Sequence, residues 1–148
     1  MLAPNSAEEK ESNKVSEIQI LVVEDEALLA ADLADDLQDM GFEPVGIVGT
    51  GESAVTSARD KKPDIILMDI KLRGQMDGIE AASRIRENPG CPVVFLTAYS
   101  EDPILKRATE TEPYGYLVKP VDLRVLKATI QMACLLYTSD AADDTSEG

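Results

Sequence analysis

The stretch IQILVVEDEALLAADLADDLQDMG (residues 18–41) contains a short apolar run followed by an amphipathic segment. Residues 18–23 are almost continuously apolar, as expected for a strand that is buried on both faces of a parallel sheet. In residues 27–40, leucines and a methionine recur at helical spacing with aspartates between them, and Gly41 follows where a helix commonly ends. This stretch therefore predicts a buried strand followed by an amphipathic helix.

The same alternation of strand and helix patterns recurs along the chain. It predicts strands at residues 45–48, 65–68, 92–96 and 114–118, and helices at residues 52–60, 79–87, 101–109 and from Leu123, with Asp122 as the cap of the last helix. Five such units in about 115 residues predict an α/β fold with a doubly wound, five-stranded parallel sheet. Ligands of such sheets bind outside the carboxyl ends of the strands.

Composition and charge exclude several classes of protein. The chain has 148 residues, of which 44% are hydrophobic and 28% charged, which excludes collagen-like and wholly disordered chains. The formal net charge is −14, and the acidic excess extends through the folded part, which suits a divalent cation or a basic partner. Such a surface argues against nucleic-acid binding and against an anionic membrane surface. With no apolar run of about 20 residues and no secretory signal, we expect a cytoplasmic protein.

The chain contains no histidine, and its two cysteines, Cys91 and Cys134, form no metal-ligand pair. Nucleophilic catalysis that depends on histidine and the usual zinc sites are therefore excluded. Any chemistry must use carboxylates, lysine, hydroxyl groups or a metal ion held by oxygen atoms.

Polar side chains of the required kinds stand where the predicted strands end. Glu24 and Asp25 follow the first strand, Asp69 the third, Thr97 the fourth and Lys119 the fifth. Each residue alone is common at a strand end, but in a parallel sheet all five meet at one edge. Three crowded carboxylates repel one another, and Mg²⁺ relieves this by taking oxygen ligands. A nucleophilic carboxylate, a metal, a cationic clamp and a hydroxyl donor are what phosphoryl transfer to a carboxylate requires.

Over residues 18–133 the chain closely resembles the receiver domain of two-component response regulators. The resemblance rests on ILVVEDE, ILMDIKLRGQMDG, VVFLTAY and YGYLVKP, which occur in the family's order and spacing. It implies a flavodoxin-like (βα)5 receiver fold. It also implies a phosphorylation-dependent signalling switch rather than a classical enzyme, although the domain takes part in its own phosphotransfer and autodephosphorylation.

The resemblance assigns a role to each residue of the site. Asp69 accepts a phosphoryl group from a sensor histidine kinase or a phosphotransfer protein. Glu24 and Asp25 hold Mg²⁺ together with Asp69 and the backbone carbonyl of Lys71. Lys119 pairs with the phosphoryl group, and its bond to the following proline is expected to be cis.

The resemblance also implies a switch pair, in which the Thr97 hydroxyl moves onto the phosphoryl group and the Tyr116 ring turns inward. The change then reaches the face built by helix 4, strand 5 and helix 5, which is also the expected surface of a homodimer.

Two features depart from the family pattern. The loop IKLRGQMDG is one residue longer than the commoner form and lacks its proline, and Glu24 stands where many members have aspartate. Neither departure removes an oxygen ligand.

The two ends of the chain have a different character from the part between them. Residues 1–17 are polar and predict a flexible lead-in. Residues 134–148 read CLLYTSDAADDTSEG, of which residues 134–143 resemble a translated transposase adaptor. The alternative is a natural acidic tail, but this resemblance predicts a non-native, disordered tail. On this interpretation the output domain of the regulator is missing.

Three alternatives stay open at this point. The motif GTGESA (residues 49–54), with Asp69 twenty residues after its first glycine, fits a dinucleotide-binding fingerprint, although it follows the second strand. A phosphatase of the haloacid dehalogenase type also uses an aspartyl phosphate, but Lys71 stands where its general acid is needed. The third alternative is an interaction module that has lost phosphorylation, against which the complete set of site residues argues.

Overall fold

The computed structural model describes residues 18–87, 91–98, 102–111 and 113–147. For residues 102–105 and 136–147 it describes the backbone only. The predicted lead-in, residues 1–17, lies outside the described residues. Strands and helices alternate in the order β1 (Gln19–Val23), α1 (Ala27–Asp39), β2 (Glu43–Val48), α2 (Gly51–Lys61), β3 (Ile65–Asp69), α3 (Gly78–Arg86), β4 (Val93–Thr97), α4 (Asp102–Glu110), β5 (Gly115–Val118) and α5 (Leu123–Glu147).

The five strands form one parallel sheet in the order β2-β1-β3-β4-β5. This arrangement confirms the predicted doubly wound α/β fold. Every residue of β3 and β4 is buried, because these central strands have sheet neighbours on both sides and helices on both faces. Their nearly continuous apolar sequences are the consequence of that position.

Two apolar cores lie on opposite faces of the sheet. On one face, α2, α3 and α4 pack on a core that includes Met68 and Phe95. On the other face, Leu37 of α1 and Leu126 and Ile130 of α5 pack against the alternate residues of the strands. The period of two along each strand thus divides the side chains between two separate cores.

The predicted helix boundaries are confirmed by their capping contacts. The Asp122 carboxylate accepts a hydrogen bond from the amide of Arg124 at the start of α5 (2.8 Å). At the other end of the first helix, Gly41 follows α1 with a φ angle of 94°, a conformation that glycine adopts without strain. The predicted elements differ from the observed ones by at most two residues at most boundaries, which is the usual uncertainty of helix and strand ends.

The last helix departs from the sequence-based expectation. The backbone of α5 continues through Glu147, so the prediction that residues 134–148 are disordered is wrong for residues 134–147. Those residues contain neither glycine nor proline, and the sequence therefore offers no residue that ends the helix. Among the side chains that the structure describes, those of α5 that are buried in the core are Leu126, Ile130 and Ala133. None of the helices in the described ranges is both long and apolar enough to cross a bilayer.

Candidate functional site

The predicted site residues meet at one edge of the sheet. Glu24 and Asp25 directly follow β1, and Asp69 is the last residue of β3. Because β1 and β3 are neighbours in register, with Val23 opposite Met68, these carboxylates are brought side by side. One carboxylate oxygen from each of the three residues lies within 4.8 Å of the others. The predicted convergence of three carboxylates is therefore present.

Lys119 joins two of the three carboxylates. Its Nζ atom donates to Glu24 Oε1 at 3.0 Å and to Asp69 Oδ2 at 3.0 Å. Glu24 is only 5% exposed and Asp69 only 8% exposed. At that burial an unpaired carboxylate is costly, and the ammonium group supplies the opposite charge.

Backbone amides bind the other oxygens of the same two carboxylates. The amide of Glu26 donates to Glu24 Oε2 at 3.1 Å, and the amide of Lys71 donates to Asp69 Oδ1 at 3.1 Å. Each oxygen of Glu24 and Asp69 thus accepts a hydrogen bond, which orients both groups without any bound ligand. Lys71 is tied to the site through its amide, while the role of its carbonyl as a metal ligand stays a prediction.

The local environment keeps Lys119 charged. Burial by itself lowers the pKa of this ammonium group, but the hydrogen bonds to Glu24 and Asp69 and their negative charges outweigh burial, so its pKa is raised above the ordinary 10.5. The peptide bond between Lys119 and Pro120 is cis, as predicted from the resemblance.

Asp25 has a different cationic partner, which the sequence-based prediction missed. Arg73 Nε lies 3.6 Å from Asp25 Oδ2. Arg73 belongs to the loop between β3 and α3, and the only signal in the sequence was a cation four residues after Asp69. Nothing in that spacing indicates that the loop folds back toward the end of β1.

The donor set fits a hard divalent cation. Three carboxylates supply oxygen ligands close together, and Mg²⁺ is bound by few carboxylates while it keeps several waters. Glu24, Asp25 and Asp69 are the residues that would hold the ion. A bound cation would also lower the mutual repulsion of these carboxylates.

Thr97 and Tyr116 lie on the same face of the sheet. Phe95 pairs with Tyr116 and Thr97 with Val118, and Phe95 belongs to the core under α2, α3 and α4. Because side chains alternate along a strand, Thr97 and Tyr116 both face that side. Thr97 is buried at 2% exposure, whereas Tyr116 is 44% exposed. The structure therefore places Thr97 and Tyr116 on the same side of the sheet, with the tyrosine accessible to solvent, while their role as a switch pair stays a prediction.

A close approach explains one glycine of the loop after Asp69. A Cβ atom on Gly78 would overlap the carbonyl oxygen of Asp69, and the Gly78 amide donates to the Ile70 carbonyl at 2.8 Å. The start of α3 is thereby held directly against the end of β3. Asp77 caps α3 by accepting a hydrogen bond from the Glu80 amide at 2.9 Å.

The dinucleotide-binding alternative finds no support in the geometry. Thr50 caps α2 by accepting from the Ser53 amide at 3.1 Å, and a Cβ on Gly51 would lie 2.6 Å from the Met76 carbonyl oxygen. Gly51 therefore admits a close approach of the protein's own chain, whereas the fingerprint uses its glycines for the approach of a pyrophosphate.

The sequence of the chain is similar to those of known proteins. Residues 20–131 match the family model described as the response regulator receiver domain. The transcriptional regulatory protein PdtaR of Mycobacterium tuberculosis is 42% identical over 115 residues, which cover 78% of this chain and 56% of that protein. The response regulator GacA of Pseudomonas syringae is 34% identical over 117 residues, covering 78% of this chain and 54% of the relative. The chain thus spans about half the length of these curated relatives.

Solved structures show the same similarity. The signal receiver domain of a modulated diguanylate cyclase from Desulfovibrio desulfuricans has a TM-score of 0.78 at 38% identity, over 82% of this chain and 97% of that one. The N-terminal domain of a response regulator/sensory box/GGDEF protein from Carboxydothermus hydrogenoformans has a TM-score of 0.75 at 37% identity, over 83% of this chain and 98% of that one.

Proposed function

The chain belongs to the response regulator receiver domain family, and on that premise we propose that it is a phosphorylation-dependent switch with Asp69 as phosphoacceptor. The observation that supports this most directly is the Lys119 ammonium group, which bridges Glu24 and Asp69 within a cluster of three carboxylates. The phosphodonor is a sensor histidine kinase or a phosphotransfer protein, and Mg²⁺ is the cofactor.

Asp69 is the nucleophile of the proposed transfer. One of its carboxylate oxygens attacks the phosphorus atom of a phosphohistidine, the P–N bond breaks, and its electron pair returns to the donor imidazole. The Lys71 amide and Lys119 already hold the two oxygens of Asp69 in place, so little reorganisation precedes the attack. Glu24, Asp25, Asp69 and the Lys71 carbonyl would hold Mg²⁺, which would supply positive charge beside the transferring phosphoryl group.

Lys119 changes partner during the reaction. Before transfer its ammonium group binds the Asp69 carboxylate at 3.0 Å. After transfer the added phosphoryl oxygens lie at the same strand end and carry more negative charge than the carboxylate did. Lys119 then pairs with these oxygens, and its raised pKa keeps it charged in both states.

Thr97 and Tyr116 carry the signal away from the site. The Thr97 hydroxyl lies at the end of β4, whose carbonyl at that residue accepts a hydrogen bond from the Lys119 amide at 2.7 Å. Movement of the hydroxyl toward the phosphoryl group vacates space on the α4 side of the sheet, and the exposed Tyr116 ring turns inward to fill it. The face built by α4, β5 and α5 changes as a result, and this face also forms the proposed homodimer.

A cleft beside Lys119 suits the docking of the phosphodonor. It has a volume of about 450 Å³ and lies between α1 and the start of α5. Its lining is mainly apolar, with Leu29, Leu33 and Leu123, and Asp32 and Asp36 add negative charge. A donor domain that presents apolar and basic side chains around its phosphohistidine would match this lining.

The remaining parts of the proposal concern the chain as a whole. We assign the switch to residues 18–133 and interpret residues 134–148 as a non-native tail. The switch acts in the cytoplasm without direct contact to nucleic acid or membrane, in keeping with the acidic net charge of −14. It is not a classical enzyme, but it catalyses its own dephosphorylation.

The decisive experiment is phosphorylation by a small donor. Incubation with acetyl phosphate and Mg²⁺ is expected to add one phosphoryl group to the wild-type chain, measured by intact mass. Asp69→Asn is expected to remain unlabelled, whereas Asp60→Asn, at an exposed position of α2, serves as the matched control and labels normally. Equal labelling of wild type and Asp69→Asn would overturn the assignment of the acceptor.

A further inference from the structure

The ion pair between Arg73 and Asp25 is a feature that the proposed transfer does not use. Lys119 binds Glu24 and Asp69, whereas the cation beside Asp25 is the guanidinium group of Arg73, with 3.6 Å between Nε and Oδ2. Asp25 is one of the three carboxylates that would hold Mg²⁺. A metal ion bound at this site would therefore compete with the guanidinium group for the same carboxylate.

The backbone of Arg73 is held in place, which distinguishes this contact from an incidental surface pair. Arg73 forms an isolated parallel bridge with Thr50, the residue that caps α2. Three residues later, Met76 packs directly against Gly51 at the start of α2, where a larger residue would collide with it. Both contacts fasten the loop between β3 and α3 onto the start of α2, so that the side chain of Arg73 can reach Asp25.

We propose that Arg73 is a positioning residue that neutralises Asp25 in the metal-free site and is displaced when the divalent cation binds. This inference rests on the proposed function, since it assumes that Asp25 is a ligand of Mg²⁺. In the metal-free site, the described ion pairs of Lys119 and Arg73 with the three carboxylates reduce the mutual repulsion of these carboxylates. The side chain of Arg73 is 77% exposed and can leave Asp25 without losing a buried contact.

The consequence is that Arg73 lowers the affinity of the site for Mg²⁺. Exposed ion pairs of this kind contribute up to about 1 kcal/mol, which corresponds to about a fivefold change in a binding constant. Arg73→Gln is therefore expected to bind Mg²⁺ about two- to fivefold more tightly than the wild type. Because the competition is electrostatic at an exposed position, the difference should shrink at about 1 M salt, where the Debye length falls to about 3 Å.

The test measures Mg²⁺ dissociation constants from amide NMR shifts of the full chain at low and high ionic strength. Arg84→Gln is the matched control, because Arg84 is exposed and pairs with Glu80 within α3, and it should bind Mg²⁺ like the wild type. Arg73→Lys keeps the charge and should stay close to the wild type. If Arg73→Gln binds Mg²⁺ no more tightly than the wild type, or if Arg73→Lys behaves like Arg73→Gln, the proposal is overturned.

A second measurement observes the guanidinium group itself. The Nε–H signal of Arg73 should shift during the Mg²⁺ titration of the wild type, while that of Arg84 should stay unchanged; an unaffected Arg73 signal would contradict displacement.

Labelling by acetyl phosphate separates the two proposals. If Arg73→Gln is still phosphorylated at Asp69 but shows unchanged Mg²⁺ affinity, this inference fails and the proposed function stands. If no variant or wild-type sample binds Mg²⁺, both fail.

Discussion

Replacement of Lys119 by methionine tests how the acidic site is stabilised before any ligand binds. The substitution keeps most of the apolar stem but removes the ammonium group that donates to Glu24 and Asp69, each at 3.0 Å. Both carboxylates are buried and would then keep only their backbone amide donors. We expect the protein without Mg²⁺ to lose stability, because two close, buried negative charges are left without their cation.

The size of this loss of stability follows from the burial of Lys119, Glu24 and Asp69. Removing one partner of a fully buried ion pair costs about 3–5 kcal/mol, whereas an exposed pair contributes about 0–1 kcal/mol. The side chain of Lys119 is partly exposed while both carboxylates are buried, so an intermediate loss of about 2 kcal/mol is expected. For a folded part of this size, that corresponds to a fall in melting temperature of about 6–10 °C.

The stabilising contribution of Lys119 depends on pH in a direction that allows stability to be measured near pH 7. Burial, which lowers the pKa of Lys119, is outweighed by the hydrogen bonds and charges of Glu24 and Asp69, so its pKa in the folded state lies above 10.5. The contribution of Lys119 is therefore complete below pH 10.5 and is lost only as the pH rises through that raised pKa. At about pH 7 the wild type carries the full stabilising charge.

Thermal unfolding in a metal chelator is the assay, and Lys127→Met is its matched control. Lys127 is exposed on α5, so its replacement removes the same charge and should change stability by less than about 0.5 kcal/mol. Asp69→Asn should reduce the cost of Lys119→Met by about half, because one of the two carboxylates is then neutral. Added Mg²⁺ should restore much of the loss. The reasoning is refuted if Lys119→Met is as stable as Lys127→Met without metal.

Three further outcomes are expected. Thr97→Ala should still take up beryllofluoride, a phosphoryl mimic, but show less than half of the wild-type NMR shift at Tyr116; a full shift would disprove their coupling. Burial, and then the charges of Asp64 and Cys134, raise the pKa of the Cys91 thiol to about 12. At about pH 8 the alkylation of Cys91, followed by mass spectrometry, should therefore be more than ~100-fold slower in the folded protein than in urea-unfolded protein. Equal rates would contradict this expectation. Deletion of residues 138–148 should change the melting temperature by less than about 2 °C in calorimetry, because the described core contacts of α5 lie in its first part, and a loss of several degrees would show that the tail contributes.

The order of the elements could be predicted because it depends on local patterns. The apolar runs of β1, β3 and β4 are long enough to be recognised as strands buried on both faces. They alternate with segments in which apolar residues recur at helical spacing. Asp122 and Gly41 marked helix ends through local backbone chemistry. The course of α5 beyond residue 134 was not predicted, because the unfamiliar composition of the tail indicated disorder although no residue there ends a helix.

The identities of the strand-end residues were also in the sequence, since each follows its own strand directly. Glu24, Asp25, Asp69, Thr97 and Lys119 could be placed at one edge because parallel strands all end on the same side. That argument gives a common edge and no pairwise distance. It could not show which carboxylates Lys119 would bind.

The pairings were decided by the tertiary structure, because they join residues far apart in the chain. The strand order β2-β1-β3-β4-β5 places β1 beside β3, which brings Glu24 next to Asp69. Lys119 Nζ lies 3.0 Å from an oxygen of each, although Lys119 is 95 residues from Glu24. Arg73 reaches Asp25 because its loop is fastened to α2, a contact that no spacing in the sequence encodes. The periodicity of the sequence determines which elements form and which face each side chain takes, whereas the packing of distant elements determines which charges meet.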